Sequence, residues 1–456
     1  MRAWTWERWT AAAACVAALV PLFVFARQIR SGDYHPGSAY APRVEAVLKA
    51  SRTGMRGGPF AAVRDGEGYT LAPGLLNDLG MAAIADLWGR IVRRPLTATH
   101  LAVLNLAFMA LALAALVAVV PARVRPALIV LFVAVPLCVR EYRSPDSVTV
   151  HGALAALAIA LAIAPHRRWP AWSGLAIGLL LFLTHKVRSP FGLFAMGAIA
   201  VALLLVALRT RRVEVWRLLA LAALAFVVLE VPWRIALDRR ARDPRVVDED
   251  ILREHNVYNP LVSGIGWTTN RWGIEPWDPK VAEFLAARTS QAPVGLATFE
   301  SERRARAVYL DLWREAPGYL AGFYLGRVPA AVHEYVWLGY WGAGLWLAAV
   351  ALALRTTWRR RDAAGLALIV SPMVVAAGLL VQIVLIDPRL LYSYPLRFVS
   401  AFGLLTAAAL VVAERRELPS GERGERREER GREEAELGRP DAARAVRHEA
   451  VVMRPA

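Results

Sequence analysis

The chain has 456 residues, of which 57% are hydrophobic, and it carries a formal net charge of +17. Its apolar residues gather in runs of about 20, long enough to span a bilayer as helices, and the runs lack the alternating polarity of transmembrane strands. Most of the excess positive charge lies in short Arg-rich loops between the runs, where it orients a membrane protein and meets anionic lipid. We therefore exclude nucleic acid as a partner.

The N-terminal segment resembles a signal sequence, with basic residues followed by an apolar run. No small-residue cleavage site follows this run, so we predict an uncleaved signal-anchor helix over residues 10–27. Cys15 and Cys138 both fall inside predicted spans. This position excludes a disulfide framework, and no Cys/His spacing indicates a zinc site.

We predict an all-α polytopic membrane protein with about ten transmembrane helices. The short Arg-rich loops 121–126, 165–170, 209–217 and 355–362 lie on one side of the membrane if the N-terminus is inside, and the positive-inside rule makes that side the cytoplasm. Both termini are then cytoplasmic. The predicted spans are 10–27, 97–120, 126–140, 147–164, 171–185, 189–208, 216–237, 335–355, 363–386 and 395–413.

Two large segments, 27–97 and 238–333, are predicted to lie outside the membrane on the opposite side. The first contains expected short helices near residues 43–51 and 75–93. In the second, the stretch Glu300–Trp313 predicts a helix that either lies at the membrane interface or packs on the loop's own core. The bundle thus covers 1–413. We predict that the tail 414–456 is disordered, because it has eleven Arg, eleven acidic residues and no aromatic residue.

Ionisable residues cluster at the predicted outer ends of the spans. Such groups are costly at this depth unless they are paired or functional. Arg and Lys can bind a phosphate there, and a neighbouring carboxylate can act as a general base. For any single residue, a solvated surface charge is the alternative. The residues concerned are Asp33, Arg140, Glu141, Arg143, Asp146, Lys186, Arg188 and Arg397. Glu230 and Arg234, one helical turn apart, are either a neutralising pair or a substrate contact.

This arrangement resembles the GT-C superfamily of membrane glycosyltransferases, including protein mannosyltransferases and aminoarabinose transferases, which take sugars from polyprenyl-phosphate donors. In that group an acidic residue follows the first helix, and Asp33 matches its position. Glu141 or Asp146 matches a second acidic position. The chain departs from the paired-acid motif of protein mannosyltransferases, because Tyr34 and His35 follow Asp33.

The resemblance implies an inverting sugar transfer to an envelope glycan, lipid or protein at the outer face of a bacterial inner (plasma) membrane. Asp33 would accept the proton of the acceptor hydroxyl, and Asp146 or Glu141 would orient the acceptor or hold a divalent cation. Cations at the outer ends of the spans would stabilise the departing polyprenyl phosphate. These are Lys186, Arg188 and Arg397, the last within the sequence Tyr394-Pro395-Leu396-Arg397, with Arg140 and Arg143 as alternates.

The large outer loop carries a second resemblance, to uncharacterised bacterial multi-pass membrane proteins, in the stretch from His255 to Asp278. In one interpretation its Gly and Trp residues shape a turn-rich cap over the bundle. In the other, His255 contacts an acceptor. A rival enzyme is a ligase or polymerase of lipid-linked polysaccharide, centred on His255. A second rival is a non-enzymatic transporter or assembly protein. The nearly uncharged span centres argue against transport but not against an assembly role.

Overall fold

The computed structural model describes residues 41–71, 79–120, 125–126, 128–129, 147–164, 172–247, 257–295, 298–360, 362–386 and 390–417. Within these ranges the chain forms fourteen helices and one antiparallel hairpin. The first half contains α1 (Ala41–Met55), β1 (Ala62–Asp65), β2 (Gly68–Leu71), α2 (Gly80–Val92), α3 (Ala98–Val119), α4 (Ser147–Ile163), α5 (Trp172–Val187), α6 (Ser189–Thr210) and α7 (Val213–Ala241). The second half contains α8 (Tyr258–Gly266), α9 (Asp278–Thr289), α10 (Phe299–Glu315), α11 (Pro317–Tyr335), α12 (Gly339–Arg360), α13 (Ala363–Leu385) and α14 (Leu390–Glu417).

Several of these helices support a multi-pass membrane protein. Among the described residues, five are long and apolar enough to cross a bilayer: α3, α6, α7, α13 and the Pro395–Val412 part of α14. The pair α11 and α12 makes a sixth if it counts as one span, although the two helices meet at 90°. Helices α4 and α5 are apolar but shorter. The prediction of a helical protein is confirmed, and eight of the ten predicted spans coincide with helices α3 to α7 and α12 to α14. The predicted spans 10–27 and most of 126–140 lie outside the described residues.

Helix α11 occupies a stretch that the sequence analysis assigned mainly to the outer loop. It packs against α12, α13 and α14. Its inward residues Leu320, Tyr324 and Ala331 are buried at helical spacing. Arg327 and Pro329 interrupt the apolar pattern, which explains why hydropathy alone did not identify this helix.

The bundle core is formed by α3 to α6 together with α12 to α14. Helices α6 and α13 run antiparallel, because Gly378 of α13 lies against the ring of Phe194, while Gly197 of α6 lies against Val374. The start of α6 and the end of α13 therefore lie at the same end of the bundle. We call this the capped end, because segments 41–97 and 257–316 cover it.

The first cap segment consists of α1, the hairpin and α2. Helix α1 packs against α2 and β1, and α2 contacts the end of α5, where Gly80 approaches the backbone of Lys186 and Val187. The hairpin also binds the chain that leaves α7. The N–H of Tyr69 donates to the carbonyl of Arg245 at 2.9 Å, and the N–H of Val247 donates to the carbonyl of Tyr69 at 3.0 Å. These two bonds join the first cap segment to the chain that enters the second.

The second cap segment has its own small core. Helix α10 packs against α8, α9 and α11, and Ala305, Val308 and Leu312 on one face are buried. The helix predicted at Glu300–Trp313 is thus packed on the loop's own core. The carboxylate of Glu302 fixes the start of α8 by accepting from the backbone N–H groups of residues 257–259 at 2.7, 2.8 and 3.1 Å.

The Gly- and Trp-rich stretch between α8 and α9 forms turns over the bundle. Asn270 organises it, because its side-chain oxygen accepts from the N–H groups of Trp272 and Ile274 and its amide donates to the carbonyl of Ile274 at 2.8 Å. Gly264 lies directly against the carbonyl of Leu385 at the end of α13, where no side chain would fit. This part of the chain therefore acts as a cap. His255 lies outside the described residues.

Candidate functional site at the capped end

The structure describes three of the predicted site residues: Lys186, Arg188 and Arg397. The other six, Asp33, Arg140, Glu141, Arg143, Asp146 and His255, lie outside the described residues. Their predicted roles therefore remain predictions.

Lys186 lies in the last turn of α5 and is held by an ion pair and two aromatic rings. Its ammonium is 2.7 Å from Oε2 of Glu230 on α7, and only 14% of the lysine side chain and 19% of the glutamate side chain are exposed. The same ammonium lies 5.6 Å from the ring centre of Phe182 and 5.5 Å from that of Trp233. Both rings attract a cation electrostatically. Lys186 is thus neutralised by a carboxylate 44 residues away in the chain.

Arg234 shares the carboxylate of Glu230. Its Nε lies 3.2 Å from Oε1, and 65% of its side chain is exposed. The predicted pairing of Glu230 with Arg234 is confirmed, but the better buried partner of Glu230 is Lys186. The three side chains form one charged group with a net charge of +1 at the junction of α5 and α7.

Arg188 and Arg397 lie elsewhere at this end. Arg188 is buried in the turn between α5 and α6, where its carbonyl accepts from the N–H of Gly192 at 3.0 Å. Arg397 belongs to α14, and its Nε donates to the carbonyl of Glu334 at 3.1 Å, which ties the start of α14 to the end of α11. Helix α14 packs mainly against α12 and α13, whereas α5 packs mainly against α4, α6 and α7. The structure therefore groups Lys186 with Glu230 and Arg234, and places Arg397 in a different neighbourhood.

An aromatic cluster connects Lys186 to the first cap segment. Trp233 makes edge-to-face contacts with Phe182 of α5, at 5.8 Å between ring centres, and with Phe60 of the cap, at 5.9 Å. Such pairs add about 0.5–1.5 kcal/mol each beyond the area they bury. The cluster fixes the cap on α7.

On the other side of Phe60 a cavity of about 430 Å³ opens between the first cap segment and the last turns of α7. Residues 58–60 and Arg90 of α2 form one wall. The other wall is one face of α7, with apolar residues followed by charged ones: Pro232, Ile235, Ala236, Arg239, Arg240 and Asp243, which lies just beyond the helix. Three arginines and one aspartate give the lining a net charge of +2.

Arg90 is held rigidly in the cavity wall. Its Nε lies 2.6 Å from Oδ2 of Asp86, and its Nη2 donates to Oδ1 of Asp86 at 3.1 Å and to the carbonyl of Gly58 at 2.6 Å. The Asp86 side chain is fully buried, and this burial raises its pKa despite the opposing effect of Arg90. The paired carboxylate fixes the guanidinium, and Nη1 is left as a further donor group.

Asp243 is neutralised from outside the cavity. Arg245 binds it through Nε at 2.9 Å and Nη2 at 2.7 Å, and these bonds lower the pKa of Asp243 to about 2. Asp243 therefore stays ionised at physiological pH and is already paired. Asp243 and Arg245 together form a neutral pair at the edge of the cavity.

No part of the structure that is described brings together three or more His, Cys, Asp or Glu side chains in a metal-binding arrangement. Glu141 and Asp146, the residues expected to hold a divalent cation, lie outside the described residues. No family model, curated protein or solved structure matches this chain.

Sequence reasoning missed the cavity residues Phe60, Arg90, Arg239 and Arg240. Arg239 and Arg240 follow the last apolar turn of α7, as ordinary helix-end cations do. The available signal was the run Trp233–Arg240, which changes from apolar to basic on one helical face.

Proposed function

We propose that the protein is an inverting membrane glycosyltransferase of the GT-C kind, which transfers a sugar from a polyprenyl-phosphate donor to an envelope glycan, lipid or protein. The reaction would take place at the capped end, on the extracytoplasmic face of a bacterial plasma membrane. The supporting observation is the charged group at that end, in which the ammonium of Lys186 is held by the carboxylate of Glu230 and by two aromatic rings next to the first cap segment.

The charged group around Lys186 suits the release of a phosphate. Glu230 neutralises the ammonium, so the lysine is kept in place without an unpaired charge. A donor phosphate that approached Lys186 would take over part of this pairing, while Arg234 would retain the carboxylate. Cations fixed where negative charge develops lower the barrier to leaving-group departure.

Asp33 is the proposed general base. It would accept the proton of the acceptor hydroxyl as the oxygen attacks the anomeric carbon and the bond to the donor phosphate breaks. We assign Arg188 to the donor phosphate beside Lys186, with Arg140 and Arg143 as alternates. We no longer assign Arg397 to this phosphate, because it binds the carbonyl of Glu334 in a different neighbourhood. Asp146 or Glu141 would orient the acceptor or hold a divalent cation.

The test is the Asp33→Asn variant, assayed by mass spectrometry of lipid-linked sugars and envelope glycans in cells that carry it as the only copy. We expect the product to disappear and the donor to accumulate, while the protein remains in the membrane. Asp65→Asn is the matched control, because Asp65 is an exposed aspartate of the same segment. Normal glycan in cells with Asp33→Asn would refute the base assignment.

The ligase or polymerase alternative is tested in the same cells. It predicts that His255→Ala abolishes product and Asp33→Asn does not. If both variants leave every glycan and lipid-linked sugar unchanged, the protein is not an enzyme of this kind, and a transport or assembly role gains support.

A further inference from the structure

The cavity between the first cap segment and α7 combines charge and apolar surface in a fixed order. Along the lining face of α7, residues recur at spacings of three and four, so they lie in one row. Pro232 comes first, Ile235 is 46% exposed, and Arg239 lies about 6 Å beyond Ile235 along the helix axis. The row therefore passes from apolar to cationic as it leaves the bundle.

The cationic part has one rigid and one adaptable arginine. Arg90 is fixed by Asp86 and by the carbonyl of Gly58, with Nη1 still available. Arg239 is exposed, and its guanidinium has no ion pair with any residue in the described ranges. Two guanidinium groups that line one cavity offer charge-assisted hydrogen bonds to the oxygens of a phosphate.

The apolar part lies next to the lipid-facing surface of α7. Phe60 closes one side, and Ile235 and Ala236 form the other. Neighbouring residues Val228 and Val231 are 58% and 54% exposed, as expected for a surface that faces lipid tails. An alkyl chain can therefore continue from the cavity along the helix into the membrane.

We infer that this cavity binds the phosphate group of an amphiphilic molecule, with the phosphate between Arg90 and Arg239 and the alkyl chain along Ile235 and Phe60. Anionic phospholipids and polyprenyl phosphates share this chemistry. The inference does not depend on the proposed sugar transfer. A glycosyltransferase and an assembly protein could each hold such a lipid here.

Binding is measured with the full-length protein in detergent, by native mass spectrometry and calorimetry, using dodecyl phosphate and inorganic phosphate as probes. Arg239→Gln should weaken dodecyl phosphate binding by about tenfold or more, because a charged hydrogen bond is lost. Arg242→Gln is the matched control, since Arg242 is an exposed arginine next to α7 that does not line the cavity. It should bind the probe like the unmodified protein.

A second variant tests the contact with the alkyl chain separately from the contact with the phosphate. Ile235→Asn should weaken dodecyl phosphate and leave the weaker binding of inorganic phosphate unchanged. If inorganic phosphate binds as tightly as dodecyl phosphate and responds only to Arg239→Gln, the site takes a soluble phosphate and the amphiphile is ruled out.

Equal binding by the unmodified protein, Arg239→Gln and Arg242→Gln would overturn the inference completely. The Asp33→Asn variant distinguishes this inference from the proposed function, because it should lose sugar transfer and still bind dodecyl phosphate normally. Failed sugar transfer with intact probe binding would leave the cavity assignment standing. Normal sugar transfer by a protein that does not bind dodecyl phosphate would refute the cavity assignment and leave the proposed enzyme function standing.

Discussion

The ion pair between Lys186 and Glu230 gives the sharpest quantitative prediction. At 2.7 Å and an effective dielectric constant of about 20, the Coulomb attraction is roughly 6 kcal/mol, most of which offsets the desolvation of the two groups. Replacing only one partner leaves the other charge mostly buried. We expect Glu230→Gln to lower the free energy of unfolding by about 2–3 kcal/mol, at or below the lower end of the range for buried pairs, because both side chains retain some exposure.

Lys186→Met should lower the free energy of unfolding by less, about 1–2 kcal/mol. Methionine can pack against Phe182 and Trp233, and Glu230 keeps Arg234 as a partner. The double variant should lose less than the sum of the two single variants, by at least about 1 kcal/mol. Arg234→Gln is the control. Arg234→Gln should lower the free energy of unfolding by no more than about 0.5 kcal/mol, because the Arg234 side chain is largely exposed.

The assay is reversible unfolding of the purified protein in mixed micelles, followed by tryptophan fluorescence. If the two single losses add up to the double loss within about 0.5 kcal/mol, Lys186 and Glu230 are not coupled. The account of Lys186 as a neutralised, pre-positioned cation would then be refuted.

Two further predictions concern the second cap segment. Glu302→Ala should cost about 1–2 kcal/mol locally and speed amide hydrogen exchange at the start of α8, because three backbone donors lose their acceptor. Exchange there should not change with Glu283→Ala, an exposed residue outside this contact, and equal exchange in both variants would contradict the capping role. Gly264→Ala should loosen the cap from α13 and lower the thermal midpoint, because the new methyl group overlaps the carbonyl of Leu385. Gly318→Ala meets no atom within 4 Å and should be neutral; a similar drop in both glycine variants would argue against the close contact.

The long apolar helices were accessible from the sequence because the bilayer imposes their length and composition. Helix α13, for example, is predicted at 363–386 and observed at Ala363–Leu385. The hairpin was not predicted, since strands of four residues carry almost no periodic signal. Helix α11 was missed because tertiary packing stabilises a stretch that contains both a proline and charged residues.

The candidate site was predictable only in part. Lys186 was chosen for its place at a helix end, and Glu230 and Arg234 for their spacing on one helix. Their meeting depends on how α5 packs against α7, and no local pattern encodes that contact. Arg90 and Arg239 are further apart still in the chain, and they line one cavity because the first cap segment, through Phe60 and Trp233, packs against α7.

The two backbone bonds between Tyr69 and the chain after α7 have a consequence for access. These hydrogen bonds join the first cap segment to the chain after α7, and the same two parts of the protein form the walls of the cavity. The walls therefore cannot move apart without breaking both hydrogen bonds. A ligand that entered through the cap would have to break these two hydrogen bonds. We therefore expect a ligand to reach the cavity from the side, along the exposed apolar surface of α7 at Val228 and Val231.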